Sequence, residues 1–195
     1  MRGVLELRGI TMGYGRRTLF SEVRADVPRG RCLVVTGANG AGKSTLLKII
    51  AGLLRPESGS VVFEGTRGYA APDVSLYGEL TGLENLAFFA RLRGVSDATN
   101  EALLAEVGLA RTRGRDLVSA YSSGMRQRLK LAVSRVGDPP LLLWDEPTAT
   151  LDEAGKARAN DILTKHRANG GLAVVATNDP DEAGRWGDLR LTIGA

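Results

Sequence analysis

Hydrophobic residues recur along this chain with two different periods, and the changes between them divide it into segments. Val4-Leu5-Glu6-Leu7 and Val23-Arg24-Ala25-Asp26-Val27 alternate apolar and polar positions, which predicts antiparallel strands joined by glycine-containing turns. Cys32 to Thr36, Leu141 to Trp144 and Leu172 to Ala176 are instead continuous apolar runs, the pattern of strands buried on both faces of a parallel sheet. Ser44 to Ala51 has helical spacing and stops at Gly52, and Glu153 to Ala168 reads as a helix closed by Asn169-Gly170. The second of these joins two apolar runs into a parallel βαβ unit. Ser60 to Glu64 and Gly68 to Ala71 predict short strands, the latter stopped at Pro72, and Leu189 to Ile193 a last one. From Leu80 to Val136 the period becomes helical throughout: Leu83, Leu86, Ala87 and Ala90, then Leu103, Leu104 and Val107, then Leu129, Leu131, Ala132 and Val136. A helical block of about 80–136 is therefore inserted in an α/β order.

With 195 residues, 43% of them hydrophobic and 25% charged, the chain has material for one substantial core, a single domain spanning 1–195. The net charge of +4 reads as a solvated surface rather than as a footprint for an anionic partner. One cysteine, Cys32, excludes an internal disulfide, and its apolar strand makes it a packed residue, in keeping with a reducing cytoplasm. No apolar stretch is long enough to cross a bilayer, so any service to a membrane is performed from outside it.

The candidate chemistry begins at Gly37-Ala38-Asn39-Gly40-Ala41-Gly42-Lys43-Ser44-Thr45, which fits G-x-x-x-x-G-K-[ST] between a predicted strand and a predicted helix. Glycines there let backbone N–H groups converge on phosphate oxygens without a Cβ in the way. The helix N-terminus adds positive potential, Lys43 a point charge, and Ser44 a hydroxyl for Mg²⁺. Two carboxylates, Asp145 and Glu146, follow the apolar run Leu141 to Trp144, at the strand end where parallel sheets collect functional groups. In a phosphate-loop protein Asp145 holds Mg²⁺ alongside Ser44, and Glu146 orients or deprotonates the attacking water. Tyr121-Ser122-Ser123-Gly124-Met125 opens another helix with small hydroxyl residues, which by itself is only a helix cap. Tyr14, between two glycines, reads locally as an aromatic at a sheet edge.

In their order and spacing these residues resemble the ATP-binding-cassette (ABC) ATPases, the nucleotide-binding subunits of ABC transporters, over nearly the whole chain. Gly37 to Thr45 matches the family's Walker A, Tyr121 to Met125 its LSGGQ signature, Leu141 to Glu146 its Walker B, and Asp152 its D-loop aspartate. The resemblance implies a P-loop NTPase fold with a mostly parallel sheet, an antiparallel N-terminal β subdomain and an inserted helical subdomain. It places Tyr14 on adenine. It also implies a head-to-tail dimer, homomeric or heteromeric, in which ATP on one phosphate loop is covered by Ser122, Ser123 and Gly124 of the other subunit. The stroke of that dimer would pass through the helical subdomain to an integral-membrane permease, with the subunit peripheral on the cytoplasmic face. The short length, Leu83-Glu84-Asn85-Leu86 and Tyr121 to Met125 look most like the haem-exporter type.

The departures qualify this expectation. Pro72 falls where the family carries its Q-loop glutamine, and Asn178 where it carries the switch histidine. The neighbouring Asp73 is either a substitute metal contact or an ordinary acidic loop residue. His166 is expected at the surface of the preceding helix. The signature keeps Ser122 and Gly124 but has Ser123 and Met125 in place of Gly and Gln. Slow hydrolysis is the expectation, with Glu146, Lys43 and Asn178 as the catalytic set and ATP and Mg²⁺ as ligands. A non-transport, ATP-gated switch is the rival reading. Without tandem cassettes or a coiled-coil insertion, no nucleic-acid partner is expected.

Overall fold

The computed structural model describes residues 4–15 and 17–194; the rest of the expected 1–195 domain lies outside them. Two sheets are present. Strands β1 (Leu5–Tyr14), β2 (Arg17–Val27) and β4 (Ser58–Val62) form an antiparallel sheet in the order β2-β1-β4. Strands β3 (Cys32–Thr36), β5 (Arg67–Ala70), β6 (Leu141–Asp145), β7 (Leu172–Ala176) and β8 (Leu189–Thr192) form a parallel sheet in the order β5-β6-β7-β3-β8.

The continuous apolar runs are explained by a three-layer arrangement. Leu33, Val35, Leu141, Leu143, Leu172 and Val174 turn to one side, where they meet Leu5, Leu7 and Ile10 of the antiparallel sheet and Leu46, Leu47 and Ile50 of α1 (Lys43–Ala51). Cys32, Val34, Leu142, Trp144, Ala173 and Val175 turn to the other. There they meet α2 (Gly82–Leu92), α3 (Asn100–Glu106), α4 (Ser123–Arg135), α5 (Glu153–Ala168) and α6 (Pro180–Trp186). A strand with apolar layers on both faces needs no polar alternation. Buried Trp144 is satisfied by donating its Nε1–H to Ser134 Oγ at 3.0 Å.

Helix starts are set by local hydrogen bonding. Thr81 and Glu84 close a capping box on α2, Ser122 Oγ accepts from the Met125 N–H on α4, and Asp152 accepts from the Gly155 N–H on α5. Helices α2, α3 and α4 lie between β5 and β6, neighbouring strands of the parallel sheet.

Three expectations change. Strand β1 runs on to Tyr14, because register shifts between Leu7 and Ile10 and between Ile10 and Met12 leave adjacent residues buried and erase the alternation. Helix α6 had not been foreseen, although Asp179 caps it and Pro180 opens it. His166 is buried rather than at the surface: the turn at Gly170 and Gly171 brings its Nε2 to 3.0 Å from the Leu172 carbonyl, and burial lowers its pKa. A Cβ on Gly171 would stand only 2.3 Å from that ring nitrogen.

Candidate nucleotide site

The strand register brings the C-terminal ends of β3, β6 and β7 side by side, with Asp145 opposite Ala176 and Val35 opposite Ala176 across the two ladders. Three loops therefore leave the sheet at one edge: Gly37–Gly42 after β3, Glu146 onward after β6, and Thr177–Asn178 after β7.

The first loop needs its glycines. Gly37 has φ +150° and Gly42 φ +103°; a Cβ on Gly37 would meet the Ile193 carbonyl at 2.4 Å, and one on Gly42 would meet the Phe20 ring at 3.0 Å. Gly42 caps α1 without a side chain, and the first turn of α1 contains no acidic residue. Its leading N–H groups and dipole are thus directed at the cleft without a competing carboxylate. Lys43 is buried and donates to the carbonyls of Gly37 at 2.8 Å and Ala38 at 3.3 Å, so its ammonium is held inside the loop.

At the neighbouring strand end Asp145 is buried, and burial raises its pKa against the opposing effects of the Ser44 hydroxyl and the Lys43 ammonium. Among the described residues no cluster of three or more His, Cys, Asp or Glu side chains could hold a metal alone. The Ser44–Asp145 pair supplies two hard oxygen donors, a set that suits Mg²⁺, which keeps water and phosphate oxygens as further ligands. Glu146 sits at φ +47° with its N–H donated to the Ala176 carbonyl at 2.9 Å. That left-handed backbone costs on the order of 1 kcal/mol for a residue with a Cβ. Its pKa is raised by burial, Lys43 pulling the other way, which moves the carboxylate toward the range of a general base.

Asn178 completes this edge. Its backbone N–H faces the Glu146 carboxylate and acts to lower that group's pKa, and its Nδ2 donates to Asn39 Oδ1 of the phosphate loop at 2.7 Å. Tyr14, 59% exposed at the end of β1, lines the cleft together with Asn39, Gly40, Gly42, Lys43, Ser44, Thr45, Asp145 and Glu146.

Ser122, Ser123, Gly124 and Asp152 are not in that cleft. They line a separate one with Gly108, Arg128 and Thr150. Asp152 pairs with Arg128, which also donates to the Val107 carbonyl at 3.0 Å, and the Gly155 N–H is the main cause of its lowered pKa. The signature helix and the loop after β6 are tied by Gln127 Nε2 donating to the Pro147 carbonyl at 2.9 Å.

The region of Pro72 is held by two lysines. Lys130 of α4 donates to the carbonyls of Ala71 at 3.1 Å and Pro72 at 2.6 Å, and Lys48 of α1 pairs with Asp73 at 2.7 Å. Asp73 is thus engaged by an ammonium, while its charge is among those raising Asp145. Glu182 escaped the sequence reading altogether, although an Asp-Pro-x-Glu helix start marks it.

A phosphate loop at the end of a parallel strand, with paired acids at the next strand end, defines a nucleoside-triphosphate-hydrolysing class of protein. Comparison with known proteins narrows the class: the ABC transporter family model matches residues 20–149, and the chain belongs to that family as an ATP-binding, ATP-hydrolysing subunit. It is 33% identical over 195 residues to the lantibiotic transport ATP-binding protein SrtF of Streptococcus pyogenes, covering 95% of this chain and 85% of that one. It is 38% identical over 202 residues to the aliphatic sulfonates import ATP-binding protein SsuB 2 of Burkholderia cenocepacia (97% and 73% covered). With the cytochrome c biogenesis ATP-binding export protein CcmA of Rhodopseudomonas palustris it shares 37% over 183 residues (89% and 90%). Among solved structures, an ATP-binding subunit of an ABC transporter superposes with TM-score 0.87 at 30% identity, covering 97% of this chain and 85% of that one. The dimeric bacterial cassette MJ0796 superposes with TM-score 0.88 at 24% identity (97% and 94%), a likeness of fold. Among the described residues no helix is long and apolar enough to cross a membrane.

Proposed function

We propose that the chain binds ATP between Tyr14 and the phosphate loop and hydrolyses it in a site completed by a second ABC ATPase subunit. The observation that carries this reading is the division of the predicted groups into two clefts, one for phosphate and water activation and one capped by Ser122, Ser123 and Gly124. A single copy leaves each half without its complement, which a head-to-tail pair of subunits would supply.

In this reading Tyr14 stacks on the base, and Gly37, Ala38, Asn39, Gly40, Ala41 and Gly42 wrap the phosphates with Thr45 behind them. Lys43 exchanges its two carbonyl partners for phosphate oxygens. Ser44 and Asp145 would hold Mg²⁺, which when bound would offset phosphate charge. Glu146 receives the proton of the attacking water, and Asn178 breaks from Asn39 to donate its amide hydrogen to the terminal phosphate. Asp152, fixed by Arg128, faces the partner beside the signature. The helical segment 80–136 forms a subdomain that carries the closing motion to an integral-membrane permease, placing the subunit on the cytoplasmic face. Support for a transport role over a free-standing switch comes from relatives named for both export and import. The haem-exporter likeness is matched closely by theirs, so cargo selection is assigned to the permease.

The test is the full chain carrying Glu146→Gln, incubated with ATP and Mg²⁺ and followed by sedimentation velocity. The expected result is a stable dimer with trapped ATP. A wild-type chain that hydrolyses ATP at full rate while remaining a monomer would overturn the shared site. For the permease, affinity purification from membranes is expected to bring down a polytopic protein in stoichiometric amount.

A further inference from the structure

We propose that Glu182 is a positioning residue for hydrolysis: its carboxylate clamps the loop after β6 to the loop after β7 through Thr148 and Thr177, and thereby sets Glu146 against Asn178. The inference rests on the role given above to Glu146.

Glu182 lies in the first turn of α6 and is 6% exposed, a carboxylate with almost no access to water. One of its oxygens accepts from the Thr148 hydroxyl and the other from the Thr177 hydroxyl at 2.7 Å. Thr148 is two residues past Glu146, and Thr177 immediately precedes Asn178. The ladder between β6 and β7 stops at Asp145 and Ala176, extended only by the Glu146 N–H to the Ala176 carbonyl. Beyond it the two loops are joined by the Glu182 bridge. The bridge is also anchored to the phosphate-loop strand, because the Thr177 N–H donates to the Val35 carbonyl at 3.2 Å. One buried side chain thus joins two loops of the site, and one of its partners, Thr177, is tied through its backbone to the strand that precedes the third.

The chemistry of the bridge calls for a carboxylate. Each threonine gives its one hydroxyl proton to Glu182, and Thr177 Oγ1 itself accepts from the Asp179 N–H at 3.0 Å. A glutamine could accept from only one of the two hydroxyls and would turn its amide N–H₂ toward the other, leaving that hydroxyl proton without its acceptor. The charge also reaches Glu146. From the elements packed against it, Glu146 is faced by Lys43 of α1, Asp145 of β6, Glu182 of α6 and the Asn178 N–H. Lys156 of α5 is a cation within range of Glu182 and does not hydrogen-bond it, its Nζ being paired with Glu153.

The experiment compares Glu182→Gln, Thr177→Val, Thr177→Ser and Glu146→Gln in the full chain, measuring kcat for ATP and nucleotide affinity with a fluorescent ATP analogue. Glu182→Gln is expected to lower kcat by about 10-fold or more, since a misplacement of about 1 Å can cost 10²-fold. Affinity for the analogue is expected to stay within about two-fold, because Glu182 touches no phosphate-loop group. Thr177→Val should share the loss of kcat while Thr177→Ser, which keeps the hydroxyl, retains wild-type turnover. If Glu182→Gln does not fold, the valine and serine pair at Thr177 decides the matter by the same measurements. Turnover of Glu182→Gln or Thr177→Val within two-fold of wild type overturns the proposal, as does a loss of kcat matched by an equal loss of affinity. Wild-type turnover in Glu146→Gln would instead overturn the base assignment, whereas an inactive Glu146→Gln beside an active Glu182→Gln would defeat the clamp alone.

Discussion

Asp145 and Asp188 stand at opposite ends of one parallel sheet, and folding treats them in opposite ways. Asp145, at the end of β6, is buried without a cation in hydrogen-bonding contact, and desolvation lifts its pKa. Asp188, just before β8, meets its own desolvation with the Cys32 N–H at 2.8 Å and with Arg31 and Arg167 at 3.0 and 2.6 Å, and its pKa falls. The same contrast holds more widely. Glu146, at the phosphate edge, has a left-handed backbone and a raised pKa, while at the other edge His166 and Asp188 are satisfied by main chain and arginine. One edge keeps charges poised for a ligand; the other closes the fold.

The comparison can be broken in four places. The largest effect is expected from Glu146→Gln, which should lower kcat by about 10²–10⁴-fold without lowering the unfolding temperature, because it removes the proposed general base from a left-handed, desolvated position. A variant equally active, or active but unstable, would remove the distinction between the edges. Next, Asp188→Ala should destabilise the chain by about 2 kcal/mol in urea unfolding, since it strips a charged acceptor from a buried N–H and from two guanidinium groups. Asp145→Asn should leave stability unchanged or raise it by about 1 kcal/mol while losing Mg²⁺-dependent turnover. Loss of stability in both variants would mean that the two carboxylates are not differently placed.

The third effect is on pH. A lowered pKa means that the stability from Asp188 is fully present above the ordinary carboxylate range, near 4, and is lost as pH falls through its depressed folded value. Asp145 and Glu146 have the opposite sign: their ionised forms are penalised above their raised folded values, so their contribution improves as pH falls toward the ordinary range. Urea titrations of Asp188→Ala against wild type should therefore converge in strong acid. The acid limb of kcat in the wild type should lie above the ordinary glutamate value. Smallest is Asn178→His, expected to change turnover a few-fold and ATP affinity less, since it replaces a neutral donor with a chargeable one at a group that is bonded to Asn39 and, in the proposed reading, reaches phosphate only after leaving it. Equal kinetics in both forms would leave this position silent.

Much of this architecture was legible because the sequence pattern and the physics coincide. The runs Cys32–Thr36, Leu141–Trp144 and Leu172–Ala176 lie between two apolar layers, and Glu153–Ala168 is bounded by its Asp152 cap and the following Asn169-Gly170. The phosphate loop and the Asp145-Glu146 pair were legible because backbone geometry and charge leave few alternatives to their residue types. What escaped depended on contacts between distant segments. The bulges of β1 are set by pairing with both β2 and β4. His166 is buried by a glycine turn that a helical wheel does not contain, and the partners of Glu182 lie 34 and 5 residues away. The lysine holding Pro72 is 58 residues on, so no local reading of that loop could supply it.

The two-sided burial of β6 has a consequence for how such a chain can change length. Leu141 and Leu143 serve one layer, Leu142 and Trp144 the other, and the strand ends at Asp145. One residue inserted or deleted inside these five positions would exchange the two layers' side chains and rotate the carboxylate to the wrong face. Substitution can therefore explore β6 while insertion and deletion cannot. A tolerance scan across the gene should show a silent gap for length changes at 141–145, in contrast to exposed turns such as 96–99, where an added residue meets no packed layer.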